Sequence, residues 1–149
     1  MSVESPLLFH ATCVALGGRG VLLRGPSGAG KSDLALRLID RGALLVADDQ
    51  VSVAVEDGRA VARAPAALRG LLEVRGLGIL RFESADSAPL HLVVDLAGPG
   101  EVERMPPPAT ESIGDLRLSR FAVNPFEASA PLKVALALDA AGGLREVMR

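Results

Sequence analysis

The sequence predicts an α/β fold with a P-loop core and a mixed β-sheet, and three observations carry that prediction. An apolar run at residues 20–24 leads into Gly25-Pro-Ser-Gly-Ala-Gly-Lys31-Ser32, a G-x-x-x-x-G-K-S loop. Leu34, Leu38 and Arg41 then recur at helical intervals. A hairpin signal, Gly17-Gly-Arg-Gly20, stands before the loop between the β-like runs 7–16 and 20–24.

Strand, loop and helix in that order give the eight residues a chemistry. Glycines let the backbone curl so that successive N–H groups and the positive end of a helix point at phosphate oxygens. Gly25, Pro26, Ser27, Gly28, Ala29, Gly30, Lys31 and Ser32 are therefore expected to bind a nucleoside triphosphate. Lys31 would reach the β- and γ-phosphates, and the Ser32 hydroxyl would sit on Mg²⁺.

The remaining elements follow in order. The helix after the loop stops at Gly42, a natural left-handed cap. Residues 43–49 read as a buried strand ending in Asp48 and Asp49. Residues 51–55 alternate apolar and polar, turn at Asp57-Gly58 and return through 59–64 as a second hairpin. Leu71-Leu-Glu73-Val-Arg75-Gly76-Leu-Gly78-Ile-Leu80 is a short strand running into a glycine-punctuated turn and out again. Residues 91–96 form another apolar strand carrying Asp95. From 98 to about 115 the chain is rich in Gly, Pro and acids and reads as an extended exposed loop over the site. In the last segment Leu132, Val134, Leu136 and Leu138 alternate as in a strand, but Ser129-Ala-Pro131 offers a helix start and Gly142-Gly143 a stop, so helix is preferred.

Composition bounds the function. A chain of 149 residues with 49% hydrophobic content and no linker-like tract is read as one domain over residues 1–149. Net charge is −2, with basic residues interleaved among acids, so no nucleic-acid footprint is expected. Aromatic content is 3%, with no Trp or Tyr, and base-stacking platforms for single strands are scarce. The sole cysteine, Cys13, lies in an apolar run and reads as a small buried hydrophobe in a reduced cytoplasmic protein. Glu4 and the lack of an early basic cluster argue against a signal peptide, and no apolar stretch approaches the ~18 residues of a membrane span.

Phosphoryl transfer asks a protein for a metal holder, a cation at the γ-phosphate and a carboxylate that accepts the nucleophile's proton. Asp48 and Asp49 end a strand beside the loop, and one could serve the metal while the other serves the proton; Asp95 is the alternative, read more readily as structural. Glu73 and Arg75 share a strand face, compatible with a metal and phosphate site or with a surface ion pair. His10, among apolar residues in the run 7–16, reads on its own as a core histidine.

The order His10, Gly25-Pro-Ser-Gly-Ala-Gly-Lys-Ser32, Arg41-Gly-Ala-Leu-Leu-Val-Ala-Asp-Asp49 and Leu72-Glu-Val-Arg-Gly-Leu-Gly-Ile79 resembles the catalytic domain of the HPr kinase/phosphorylase family. The resemblance is strong over residues 7–80 and implies a P-loop core like that of phosphoenolpyruvate carboxykinase. It also implies ATP- and Mg²⁺-dependent phosphorylation of a serine on HPr, a phosphocarrier protein of the phosphotransferase system. Residue by residue, it implies that Lys31 contacts the phosphates, that Ser32 and Glu73 hold the metal, and that the Asp48-Asp49 pair deprotonates the serine. His10 joins the catalytic centre, and Arg104 in Glu103-Arg104-Met105 stabilises the transferring group. The chain resembles a short form without the family's N-terminal domain, and a homo-oligomer, hexameric in the family, is implied. Where the family has Pro-Gly-Arg-Asn, associated with phosphorolysis, this chain has Asn124-Pro-Phe-Glu-Ala-Ser129, so the reverse reaction is not expected.

Three other readings compete: a small-molecule kinase, a GTPase switch and a nucleotide-sensing regulator without turnover. Lys31 and Lys133 are the only lysines, and no Asn-Lys-x-Asp segment is present to read guanine, which argues against the GTPase.

Overall fold

The computed structural model describes residues 6–148; the reading placed on Glu4 lies outside them. Strands β1 (Leu7–Phe9), β2 (Ala11–Leu16) and β3 (Arg19–Arg24) lead to helix α1 (Lys31–Asp40). There follow β4 (Leu44–Ala47), β5 (Val51–Glu56), β6 (Arg59–Arg63), β7 (Leu71–Val74), β8 (Gly78–Arg81) and β9 (Ala88–Leu96). Strands β10 (Thr110–Ile113) and β11 (Leu116–Val123) and helix α2 (Ala130–Ala141) complete the chain.

Strand order is β1-β5-β6-β9-β3-β2-β4, with β11 also beside β9 and β10 outside β11; β7 and β8 form a separate hairpin. Both expected hairpins are present, β2–β3 and β5–β6, the latter turning through Asp57 at φ 52 and Gly58 at φ 75. Positive φ at both central positions matches the twist of the flanking strands. The sheet is mixed because β9 runs parallel to β3 and β11 but antiparallel to β6.

Strand β9 is the hinge of the architecture. Its first residues, Ala88 and Pro89, pair with β6, whereas residues 90–95 pair with β3 and residues 92–96 with β11. The sheet therefore curls over itself. Alternation then sorts the side chains into two cores: Val21, Leu23, Leu92 and Val94 meet α1 and α2 on one face, while Leu22, Val93 and Cys13 meet Val51 and Val53 of β5 on the other. All are at most 1% exposed.

Two sequence expectations change, and one strand is added. Residues 7–16 are not one strand: the chain bends at His10, so that β1 pairs with β5 and β2 with β3 and β4, passing from one layer to the other. The stretch from 98 to 115 is not all loop, since Thr110–Ile113 pairs with β11 and Ile113 is 1% exposed. Strand β11 itself escaped the sequence reading because Arg117, Ser119 and Arg120 interrupt its apolar residues.

The last segment is helical, as the start and stop signals indicated. Val134 and Leu138, four apart, are fully buried, whereas Leu132 and Leu136 are each 46% exposed. Replacing Leu138 by Ala should destabilise the protein by about 2–5 kcal/mol, and Leu136→Ala by less than about 0.5 kcal/mol. Urea unfolding of both variants tests this; equal losses would contradict helical packing of the segment.

Candidate functional site

The loop after β3 is shaped by steric limits at two glycines. A Cβ at Gly25 would lie 2.9 Å from the Ala29 Cβ, and Gly30 sits at φ 100 as the first cap of α1. No side chain caps that end of the helix, so its first-turn N–H groups keep their capacity for an anion. Lys31 opens the helix and is only 8% exposed; its ammonium donates to the carbonyls of Gly25 at 2.6 Å and Pro26 at 3.0 Å. The cation thus lies along the loop that it closes.

Beside the loop, β4 delivers the acid pair, and the structure separates its members. Asp48 is 8% exposed. Its Oδ1 accepts from the hydroxyls of Thr12 and Ser32, both at 2.8 Å, and its Oδ2 accepts from the backbone N–H of Glu73 at 3.2 Å. Asp49 adopts φ 68, a left-handed conformation that non-glycine residues seldom hold and that clusters at functional sites. That turn swings its carboxylate outward, 3.3 Å from His10 Nδ1, with the two side chains 63% and 60% exposed.

These groups line a cavity of about 520 Å³, closed on the far side by Glu73, Val74 and Arg75 and at one edge by Phe126. Of the sequence-predicted residues, His10, Ser27, Gly28, Gly30, Lys31, Ser32, Asp48, Asp49 and Glu73 border it. Gly25, Pro26 and Ala29 form the back of the loop. Arg104 is exposed on a segment that does not border the cavity; Arg75 is the arginine that does. His10 is not a core residue but stands at the mouth, because the bend between β1 and β2 turns it out.

Glu73 and Arg75 form no ion pair among the described residues, so the surface-pair reading does not hold for them. Asp95 is structural: Arg24 binds both its oxygens, at 2.9 and 3.2 Å, and reaches Glu111 at 2.7 Å. Arg120 adds a contact to Glu111 at 3.0 Å. The hydrogen bond from Arg24, foremost, holds the Glu111 carboxyl below its ordinary range. This cluster fixes the end of β3 one residue before the glycine loop.

Thr12 and Phe126 are the site residues that sequence reading missed. Thr12 is a lone hydroxyl in an otherwise apolar strand, and the pairing of Cys13 with Ala47 sets it opposite Asp48. That register, had it been known, was the signal. Phe126 lies in a segment without periodicity, and the one signal was that residues 124–129 stand where the resembled family has its Pro-Gly-Arg-Asn loop.

Around Asp48, the Ser32 hydroxyl and the carboxylates are all oxygen donors, which suit a hard divalent cation. No cluster of three or more His, Cys, Asp or Glu occurs among the described residues, so the protein offers one or two carboxylates. Such a set could hold a cation only with further oxygen ligands from elsewhere.

Curled mixed sheet, glycine loop and acid pair define the class: a mixed α/β protein in which a helix N-terminus without a side-chain cap lies beside paired carboxylates. Residues 3–95 match the family model described as the HPr serine kinase C-terminal domain, and the chain belongs to that family. An HPr kinase/phosphorylase of Clostridium beijerinckii is 49% identical over 71 residues, covering 48% of this chain and 24% of the relative. That of Latilactobacillus sakei is 51% identical over 72 residues, covering 48% and 23%. The matched stretch thus spans about a quarter of these curated relatives. Among solved structures, the HPr(Ser) kinase/phosphatase of Coxiella burnetii superposes with a TM-score of 0.78 at 25% identity, over 89% of this chain and 93% of that one.

Two outcomes are expected. Asp48→Asn places an amide where the Glu73 N–H needs an acceptor and should cost about 1–3 kcal/mol in chemical denaturation, whereas Asp49→Asn, exposed and in a conformation Asn tolerates, should change stability by less than about 0.5 kcal/mol. Cys13 is fully buried, and burial pushes its thiol up to about 12. The folded protein should resist thiol reagents at pH 8 and react once unfolded. Because the folded thiol holds its proton longer than the unfolded one, its contribution to stability is present below the ordinary thiol range and declines as pH rises towards about 12.

Proposed function

We propose that the chain is an ATP- and Mg²⁺-dependent serine kinase acting on an HPr-like phosphocarrier protein in the cytoplasm, with a P-loop core like that of phosphoenolpyruvate carboxykinase. The observation that carries the reading is the convergence of Ser32, Thr12 and the Glu73 N–H on Asp48 directly beside the glycine loop. A phosphate-binding turn and a carboxylate are there locked into one unit.

In this reading, the N–H groups of residues 25–32 and the Lys31 ammonium bind the phosphate chain, which draws Lys31 from the loop carbonyls it now touches. Ser32 and Glu73 hold the metal, with Asp48 orienting the Ser32 hydroxyl. Mg²⁺, when bound, neutralises phosphate charge and lets the neighbouring carboxylates stay ionised. The acceptor serine enters from the open side bordered by His10 and Asp49. Its oxygen forms the new bond to the terminal phosphorus as the bond to the ADP oxygen breaks, and its proton passes to the acid pair. His10, 3.3 Å from Asp49, positions that carboxylate. Arg75 is the guanidinium that borders the cavity and takes the charge-stabilising role that the sequence reading gave to Arg104.

The forward direction is favoured, because residues 124–129 contribute no basic side chain for an inorganic phosphate nucleophile. Assembly into a homo-oligomer, a hexamer by resemblance, belongs to the same proposal. A regulator that binds nucleotide without turnover is distinguished by the same assay.

Purified protein incubated with γ-labelled ATP, Mg²⁺ and the organism's HPr-type protein should label a serine. Lys31→Ala should lose at least the ~1.5–3 kcal/mol of a charged hydrogen bond in nucleotide affinity or in the barrier. Absence of label from the unaltered protein would overturn the kinase reading, and normal turnover by the variant would overturn the role of Lys31.

A further inference from the structure

The cavity has a charged side and an aromatic side. On the first, the Ser32 hydroxyl meets Asp48. On the second, Pro125 and Phe126 pack over Gly30, where an added Cβ would lie 3.5 Å from Pro125 Cβ and 3.8 Å from Phe126 Cε1. Gly30 precedes α1 as its cap and Ser32 lies in its first turn, so the ring and the acids both border the helix end that carries the loop.

Phe126 is 70% exposed, although the segment bearing it is tied down at each residue. Its N–H donates to Asn124 Oδ1 at 3.0 Å, and the Arg37 guanidinium donates to the Pro125 carbonyl and, at 3.4 Å, to that of Glu127. Lys133 holds the Glu127 carboxylate at 2.7 Å. A large apolar ring left in water on a fixed backbone is an unsatisfied surface. Leu36 and Val74 extend the apolar lining beside it.

We propose that Phe126 is the platform on which the nucleotide's base stacks, its phosphate chain running from the ring across the end of α1 towards Asp48. This rests on the reading of the loop as a triphosphate site. A ring recognises the face of a base and not its edge, so the site accepts ATP and GTP with similar affinity.

Calorimetry on the full chain tests this, with MgATP and magnesium tripolyphosphate as probes. Phe126→Ala should weaken ATP about tenfold or more while changing tripolyphosphate affinity by less than about twofold. Phe126→Trp should keep ATP affinity. Because the chain has no Trp or Tyr of its own, its indole emission should respond to ATP and not to tripolyphosphate. Equal losses for both probes in Phe126→Ala would make the ring a mere support for the loop. Unchanged ATP affinity with a raised KM for the acceptor protein would assign it to that protein instead; either result overturns the proposal while the loop reading stands. Failure of the unaltered protein to bind either probe would overturn the loop reading itself, and this proposal with it.

Discussion

The buried carboxylate of Asp48 is the constraint on which the site depends. A carboxyl group at 8% exposure needs hydrogen-bond partners for its oxygens, and three donors from three parts of the chain meet that requirement. Thr12 comes from β2, Ser32 from the first turn of α1 and the Glu73 N–H from β7. One acid thereby registers the helix carrying the loop against the sheet and against the β7–β8 hairpin. The site's geometry rests on that requirement, most of all at Thr12, whose fully buried hydroxyl has Asp48 as its partner.

The two adjacent aspartates show how neighbours in sequence acquire different physics. Both lie in the bend just past β4, and the left-handed conformation at Asp49 turns its side chain away from that of Asp48. Asp48 faces inward and fixes geometry; Asp49 faces outward beside His10 at the mouth. Their exposures differ accordingly, Asp48 being buried against its three donors and Asp49 open to solvent.

Much of this was legible in the sequence where local chemistry decides structure. The glycine loop, the hairpin turns, the helix after the loop and the buried strand leading to the two acids announce themselves through spacing and turn residues. What stayed hidden depends on pairing between distant segments. His10 looks like part of one continuous strand until β1 is seen to join β5 and β2 to join β3. Strand β11 carries Arg120, whose partners, Glu111 and Asp95, lie on β10 and β9 and so are invisible to local pattern. The Leu132–Leu138 alternation imitates a strand, and only burial on one helix face resolves it. The family match over residues 3–95 extends past the acid pair to the β7–β8 hairpin and β9, whereas α2, β10 and β11 lie beyond it and were the parts hardest to read.

Strand β9 bonds to β6 at its start and to β3 and β11 along the rest. Separating β6 from β3 and β11 therefore strips pairing from this one segment, which couples the opening of the two layers. The partners of β9 are far apart along the chain, and bringing them together before any reward is collected makes assembly a late, all-or-none event.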